Sequence, residues 1–347
     1  MNSRQELIKK IGEERKTNVI TYITADRGNI TAQMEPDDIR VFKDHLDKFS
    51  EKKDIDLFIF SNGGVTTTAW ALINLLREYT DKLTVIIPYK AFSCATSVAI
   101  GADEIIMSRI GILGPIDPSV ANIFNPKVDG QIAQISVEDV SAYNRLARDI
   151  FKINNSNKIA GVFDKLSTDI RPLALGNAYR HYIKARDDAQ KLLSLHTKGI
   201  LNKFRNKKIV STLVEKLYFH GHHINRGEAK AIGLNIIEPN SNLETLIWSL
   251  YLEYEKEMQF RSPYKDEPTT SRDIPIVYIE SINETNKRII RQKISLVNTP
   301  QNSFITIFNG LASFFVNNNS FIPVKTEGNA VIINGQIYDK VESVLWL

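Results

Sequence analysis

The sequence predicts an α/β fold built on a parallel sheet, and the alternation of two kinds of segment in its first hundred residues indicates this class. Runs rich in apolar and β-branched residues, typical of buried strands, lie at Asn18 to Thr24, Asp54 to Phe60 and Leu83 to Pro88. Between them, Asp37 to Phe49 and Thr66 to Tyr79 carry apolar residues at helical spacing. Strands that alternate with helices in this way pair in parallel through right-handed crossovers.

The remaining elements follow from the same patterns. Residues 1–17 predict an N-terminal helix docked on the main domain through Leu7, Ile8 and Ile11, with a membrane-surface role as the alternative. Farther along, the sequence predicts a helix from Ser93 to Ala102, a strand from Glu104 to Met107, a turn-rich loop from Gly111 to Pro118, helices from Val137 to Phe151 and from Arg171 to Gly199, and a strand-turn-helix unit from Lys216 to Ile237.

The composition changes near the C-terminal end of the chain. From Ser262 to Ile274 it shifts to Pro, Asp, Glu, Thr and Ser, which predicts a linker. Beyond it, strand-forming runs alternate with Asn-rich and Gly-rich turns, which indicates a small β-rich appendage. The expected domains are therefore an N-terminal helix at 1–17, a main domain at 18–261 and a β-rich extension at 274–347.

The bulk composition restricts the class of protein. The 44 basic and 40 acidic residues leave a formal charge of +4, too small a surplus to favour a nucleic-acid partner. The single cysteine excludes an internal disulfide and suits a reducing compartment. There is no apolar run long enough to span a bilayer and no apolar secretion signal, so a cytoplasmic location is expected.

The segment from Leu57 to Pro118 contains the two parts that an acyl-transfer site needs. Gly63 and Gly64 follow an apolar strand, and adjacent glycines allow a turn whose N–H groups point outward. Ser93 then opens a helix, whose N-terminus adds oriented donors. Ser93 is the predicted nucleophile, with Gly63, Gly64 and the Cys94 backbone as the oxyanion hole. The alternatives are that Ser93 is a helix N-cap and that the Cys94 thiol reacts instead.

These residues resemble the Clp-fold serine peptidases, and in particular the serine dehydrogenase proteinase family, which is related to signal peptide peptidase of the SppA type. In SppA-type enzymes the nucleophile lies ten residues before the aspartate of an Ala-Asp pair, as Ser93 does before Asp103. Asn62 departs from the proline often found before the glycine pair. The similarity covers roughly Val19 to Glu238 and rests on Ser-Asn-Gly-Gly at 61–64, Ala-Phe-Ser-Cys-Ala-Thr at 91–96, Gly-Ala-Asp-Glu-Ile-Ile-Met at 101–107, Leu-Gly-Pro-Ile-Asp-Pro at 113–118, Pro-Leu-Ala-Leu-Gly at 172–176 and Ile-Asn-Arg-Gly-Glu-Ala at 224–229.

The resemblance implies a Clp/crotonase-like fold of repeated strand-strand-helix units. It also implies a serine peptidase that needs no cofactor and no metal, acts on peptides or proteins, and assembles as a homo-oligomer. Two other functions remain open from the residues. A crotonase-like acyl-CoA enzyme would use the same backbone oxyanion hole with a carboxylate near the acyl site as its acid or base, and the serine would be dispensable. In a catalytically silent scaffold, Ser93 would have no chemical role.

The general base is assigned by resemblance alone. The loop from Gly111 to Pro115 lacks the histidine of Clp-type enzymes, and Gln134 lies about where archaeal relatives have a lysine. SppA-type enzymes carry their lysine ahead of an arginine and a long helix, which points to Lys165 and a Ser-Lys dyad. His181 and Lys184 on the long helix are the other candidates. In the alternative interpretation, all three are solvent-exposed residues on a helix surface without a catalytic role.

Three further features have a structural and a functional interpretation. The histidines at 220, 222 and 223 would bind zinc only with further ligands from elsewhere, so a role at the substrate edge or in packing is favoured. Asp103 and Asp117 would orient a base in the functional interpretation. In the structural one, a turn aspartate bonds to its own backbone, and for Asp117 this is preferred, with lining of the substrate channel second.

Overall fold

The computed structural model describes residues 2–49, 53–116, 119–120, 122–128, 130–133, 135–197, 199–217, 221–296, 304–308, 311–316, 320–323, 329–333 and 336–347. In the N-terminal part the elements are α1 (Ser3–Arg15), β1 (Asn18–Thr24), β2 (Asp26–Arg27), β3 (Ile30–Thr31), α2 (Asp38–Asp47), β4 (Ile55–Phe60), α3 (Thr66–Tyr79), β5 (Leu83–Ile87), β6 (Lys90–Ala91), α4 (Cys94–Ile100), β7 (Glu104–Met107) and β8 (Ile112–Leu113).

The middle of the chain is mostly helical. Its elements are β9 (Ser119–Val120), β10 (Lys127–Val128), β11 (Gln131–Ile132), β12 (Ile135–Ser136), α5 (Val137–Arg145), α6 (Ser156–Asp169), α7 (Pro172–Ser194), α8 (Ile200–Ser211), α9 (Arg226–Ile232), β13 (Ile236–Ile237) and α10 (Ser241–Glu257). One π-helical turn follows α5 and another follows α8, at Leu146–Ile150 and Thr212–Lys216. None of the described helices is both long and apolar enough to cross a membrane.

The C-terminal part is β-rich, as predicted. Its strands are β14 (Thr269–Ser281), β15 (Thr285–Leu296), β16 (Phe304–Phe308), β17 (Leu311–Val316), β18 (Ser320–Pro323), β19 (Asn329–Ile333) and β20 (Gln336–Trp346). Strands β16, β17 and β18 form a small sheet of their own, whereas β14, β15, β20 and β19 join the central sheet.

The central sheet has the strand order β13-β7-β5-β4-β1-β14-β15-β20-β19. Pairing is parallel from β13 to β1 and antiparallel from β1 onward. Every residue of β4 and β5 is buried, as parallel strands covered on both faces require. Strand β1 lies at the junction, with Ile20 opposite Leu57 on one side and Ser281 on the other. The predicted α/β class with a parallel sheet is confirmed.

The pairing of β1 with β14 gives the C-terminal strands a structural role that the sequence did not indicate. Without β14, the edge of β1 would present unpaired backbone N–H and C=O groups to solvent. Five residue pairs, from Ile20 with Ser281 to Thr24 with Val277, cover it. The expected division at the linker therefore does not separate two sheets, and β14 begins at Thr269, inside the segment predicted as linker.

Candidate active site

The turn after β4 and the segment before Ser93 are joined by backbone hydrogen bonds. The Ser61 N–H donates to the Lys90 carbonyl at 3.1 Å, and the Phe92 N–H donates to the Ser61 carbonyl at 3.0 Å. Both segments leave the same edge of the sheet, because β4 and β5 are parallel and the carboxyl ends of parallel strands lie together. The fold therefore brings the glycine pair and Ser93 to one place.

Gly63 is in direct contact with the start of α4. A Cβ added at Gly63 would lie 2.9 Å from the Cβ of Ser93 and 3.2 Å from the amide nitrogen of Cys94. The residue also has φ = 103°, in the left-handed region that glycine adopts without strain. Only glycine fits at this position, and its absent side chain lets the turn approach Ser93 closely.

Ser93 has a strained backbone and does not act as a helix cap. Its φ of 51° and ψ of −110° are unusual for a residue other than glycine, at a cost of about 1–3 kcal/mol. It occupies the N-cap position of α4, but its side chain accepts no hydrogen bond from the helix backbone. Because the hydroxyl is half-buried and not used as a cap, the N-cap interpretation does not explain this serine.

The amide of Gly64 points away from the neighbouring segment. Met34 donates its N–H to the Gly63 carbonyl at 3.0 Å, and its carbonyl accepts the Val65 N–H at 2.9 Å. Met34 and Gly64 thus form a parallel bridge, in which Met34 bonds to the residues on either side of Gly64. In this pattern the N–H of Gly64 itself points away from Met34. Among the described residues, no acceptor is bonded to the amide of Gly64.

The other two predicted donors differ from each other. The Gly63 N–H already donates to the Ser61 hydroxyl at 3.0 Å, so it would serve an oxyanion only if that bond opened. Cys94 is the first residue of α4, where an amide has no carbonyl partner within its helix. The geometry therefore favours Gly64 and Cys94 as donors, with Gly63 shaping the turn.

The Cys94 side chain is packed inside the protein and bonded to the backbone. Its thiol is almost completely buried and donates to the Val65 carbonyl, with a sulfur-to-oxygen distance of 3.2 Å. Burial raises the pKa of this thiol to about 12, which keeps it protonated at neutral pH. The thiolate is the reactive form of cysteine, so the alternative in which Cys94 is the nucleophile finds no support in this environment.

The three predicted bases all lie on exposed helix surfaces. Lys165 is exposed on α6, a helix with no buried residues, and His181 is exposed on α7. The amine of Lys184 forms an ion pair with Asp188 on the next turn of α7. Within the described residues, none of the three has a hydrogen bond or ion pair with Ser93, so the single chain does not bring them to the predicted nucleophile.

The histidine segment, in contrast, lies beside the serine helix. The ring of His223 stacks on that of Phe92, the residue before Ser93, with centroids 5.4 Å apart and planes 18° apart. Backbone bonds between Ile224 and Leu113, of 3.0 and 2.9 Å, hold the segment there. His222 bonds to the Glu228 carboxylate at 2.8 Å. The sequence identified this cluster, but not its place, which depends on a pairing across about 110 residues.

In the part of the chain that the structure describes, no three His, Cys, Asp or Glu side chains are placed together so that they could bind a metal ion. His220, Asp117 and Gln134 lie outside the described residues. Asp103 accepts the Leu83 N–H at 2.8 Å and pairs with Arg77 at 3.3 Å. These bonds tie the end of α4 to β5 and to α3, which is a structural role.

Comparisons with known proteins agree with the motifs. The family model described as ClpP-like SDH-type serine proteinase matches residues 1–171. An uncharacterized protein of Methanocaldococcus jannaschii is 22% identical over 269 residues, which are 75% of this chain and 81% of the relative. A second uncharacterized protein of the same organism is 40% identical over 70 residues, and the match spans 20% of this chain and about a quarter, 24%, of that relative.

Solved structures of two kinds are similar at low identity. A variant of the 1510-N membrane-bound stomatin-specific protease, in complex with a substrate peptide, has a TM-score of 0.38 and 13% identity, covering 65% of this chain and 78% of that one. ClpP1 from Listeria monocytogenes has a TM-score of 0.35 and 12% identity, covering 69% and 98%. The predicted resemblance is confirmed by the family match, which covers residues 1–171 of the 347 in the chain.

Proposed function

We propose that this protein hydrolyses peptide bonds through an acyl-enzyme formed on Ser93. The observation that supports it most directly is the geometry at the start of α4. There a serine with φ = 51°, whose hydroxyl does not cap the helix, lies against a glycine turn that offers an outward amide. Strained, uncapped residues of this kind are found at functional sites, where the surrounding structure holds them in place.

The reaction follows from these groups. The Ser93 Oγ attacks the carbonyl carbon of the scissile bond while a base accepts the hydroxyl proton. The carbonyl oxygen becomes an oxyanion, which the N–H groups of Gly64 and Cys94 stabilise. When the C–N bond breaks, the base returns the proton to the leaving amine. Water then attacks the Ser93 ester by the same route and releases the acid.

The proposed base is Lys165, as the family resemblance implies. In the single chain its amine is exposed on α6, so this assignment requires α6 to come to the site in an assembly or on substrate binding. His223 is the competing candidate, because its ring stacks on that of Phe92, the residue before Ser93.

We also propose a homo-oligomer. Helix α6 buries none of its residues, although Ile159, Val162, Phe163 and Leu166 recur at helical spacing along it. On the adjacent α7, the side chains of Leu173, Tyr179 and Ile183 are exposed. Large apolar side chains exposed on two consecutive helices favour a protein interface, and a second copy of the chain would cover them.

The test is fluorophosphonate labelling of the purified protein, with mass spectrometry to locate the adduct and the Ser93→Ala variant as control. An adduct on Ser93 that is absent from the variant supports the proposal. The variants Lys165→Met, His181→Ala, Lys184→Met and His223→Ala are then compared, and the base is the residue whose substitution abolishes labelling. A folded oligomer that is not labelled contradicts the proposal; it favours a silent scaffold, or, if coenzyme A thioesters bind, an acyl-CoA enzyme.

A further inference from the structure

Arg288 connects the C-terminal strands to a segment of the N-terminal half. It lies on β15, and its side chain is 5% exposed. Its partner Glu35 is 253 residues away in the sequence. The guanidinium forms an ion pair with Glu35, donates from Nη2 to the Gln33 carbonyl at 2.7 Å, and lies 3.5 Å from the Asp38 carboxylate. One side chain therefore holds three points of residues 33–38, which we call the strap.

The strap is also the segment that contacts the glycine turn. Met34, between two of the Arg288 contacts, forms the paired backbone bonds to Gly63 and Val65. The packing between them is so close that a Cβ on Gly64 would lie 2.3 Å from both the nitrogen and the oxygen of Met34. Any displacement of the strap therefore moves the turn that carries the Gly64 amide.

Three further contacts support this connection. Asp38 accepts hydrogen bonds from the Tyr22 hydroxyl on β1 and from the Glu35 N–H, the latter at 2.9 Å. Burial raises the pKa of the Asp38 carboxyl, and the positive charge of Arg288 opposes that shift. The guanidinium also lies over the ring of Trp346 on β20, 5.8 Å from its centroid. Both β15 and β20 thus support the arginine.

We propose that Arg288 is a positioning residue that holds the Gly64 amide in place for the oxyanion, so that the C-terminal strands are part of the working site. This inference rests on the proposed function. Through Gln33 and Glu35 the arginine fixes the strap, and through Met34 the strap fixes the Gly63-Gly64 turn. The family match ends at residue 171, so the segment that carries Arg288 lies beyond it.

The experiment compares Arg288→Gln and Arg288→Lys with the matched control Arg291→Gln. Arg291 lies on the same strand, but its ion pair with Asp273 is exposed and joins only β14 to β15. Hydrogen exchange of the strap and of residues 61–65 reports the connection, and the rate of fluorophosphonate labelling at Ser93 reports the site. Peptide hydrolysis separates kcat from KM.

For Arg288→Gln we expect faster exchange in both segments and labelling slower by about 10- to 100-fold, since displaced catalytic groups cost factors of that order. KM should change little, and Arg288→Lys should recover part of the rate because it keeps the charge but not the fork of donors. Arg291→Gln should behave as wild type. A folded Arg288→Gln protein with wild-type exchange or labelling overturns the inference.

If Arg288→Gln does not fold, Glu35→Gln replaces it, because Glu35 is the half-exposed partner and the buried pair with Asp38 remains. Glu35→Gln should change hydrogen exchange and labelling in the same direction, but by less. Wild-type exchange and a wild-type labelling rate in this variant would overturn the inference. The two proposals fail separately. An unlabelled wild type contradicts the peptidase, whereas exchange alone decides whether Arg288 holds the strap and turn.

Discussion

The substitution Gly64→Ala tests whether the strap sets the position of the oxyanion turn. The added methyl group would lie 2.3 Å from the nitrogen and oxygen of Met34, and ordinary contacts begin at 3.4 Å. Both neighbours are backbone atoms that cannot rotate away, so the turn and the strap must separate by about 1 Å. Gly64 has no positive φ, so the effect comes from this contact and not from backbone strain.

The separation has a stability cost and a catalytic cost. It weakens the two backbone bonds that Met34 makes, at about 1 kcal/mol each, so the free energy of unfolding should fall by about 2 kcal/mol. Moving an oxyanion donor by this distance approaches the loss of that donor, which lowers the rate by about 10²- to 10³-fold. We expect labelling of Ser93 to slow by that factor under conditions in which both proteins are fully folded.

The assay is the second-order rate of fluorophosphonate labelling, measured well below the unfolding temperature of each protein. Gly176→Ala is the matched control, because nothing lies within 4 Å of a Cβ at that position on α7 and alanine favours a helix. The control should be labelled at the wild-type rate and be equally or more stable. A folded Gly64→Ala protein that is labelled as fast as wild type would show that the contact with Met34 does not set the position of the Gly64 amide.

Two further predictions concern the start of α4. Ser93→Gly should be more stable than Ser93→Ala by about 1 kcal/mol in chemical denaturation, because glycine relieves the strain at φ = 51°; equal stability would show that the backbone is not strained. The second concerns Cys94, whose pKa of about 12 in the folded state lies above the ordinary value of 9.0. The folded state therefore keeps a proton that the unfolded state loses, so above pH 9 the free energy of unfolding should fall by up to about 1.4 kcal/mol per pH unit. This component should be absent from Cys94→Ala, and identical pH slopes for the two proteins would contradict it.

The elements that depend on local patterns were predictable. The bounds of β1 and α3 agree residue for residue with the predicted segments, because a run of β-branched residues and an apolar stripe at helical spacing are each complete within one stretch of sequence. Helices α6, α8 and α10 were not assigned from the sequence. Helix α6 buries nothing in the single chain, so its pattern has no core to face.

The site was predictable only in part. The glycine pair and Ser93 could be identified because each follows or begins a recognisable element, and the structure brings them into contact. The use of the Gly63 amide by the Ser61 hydroxyl is a local bond of a kind that serines often form, and a serine two residues before the glycine was its signal. The positions of His223 and Arg288 depend on contacts across the chain, which no local pattern encodes.

Ser93 is tested as the nucleophile by locating the fluorophosphonate adduct on the wild-type protein with mass spectrometry. We expect one modified residue, Ser93, with no adduct on Cys94 or on Ser97, whose N–H donates to the Ser93 carbonyl one turn along α4. Labelling of folded protein at another serine, or the absence of labelling from a protein shown to be folded and assembled, would contradict it.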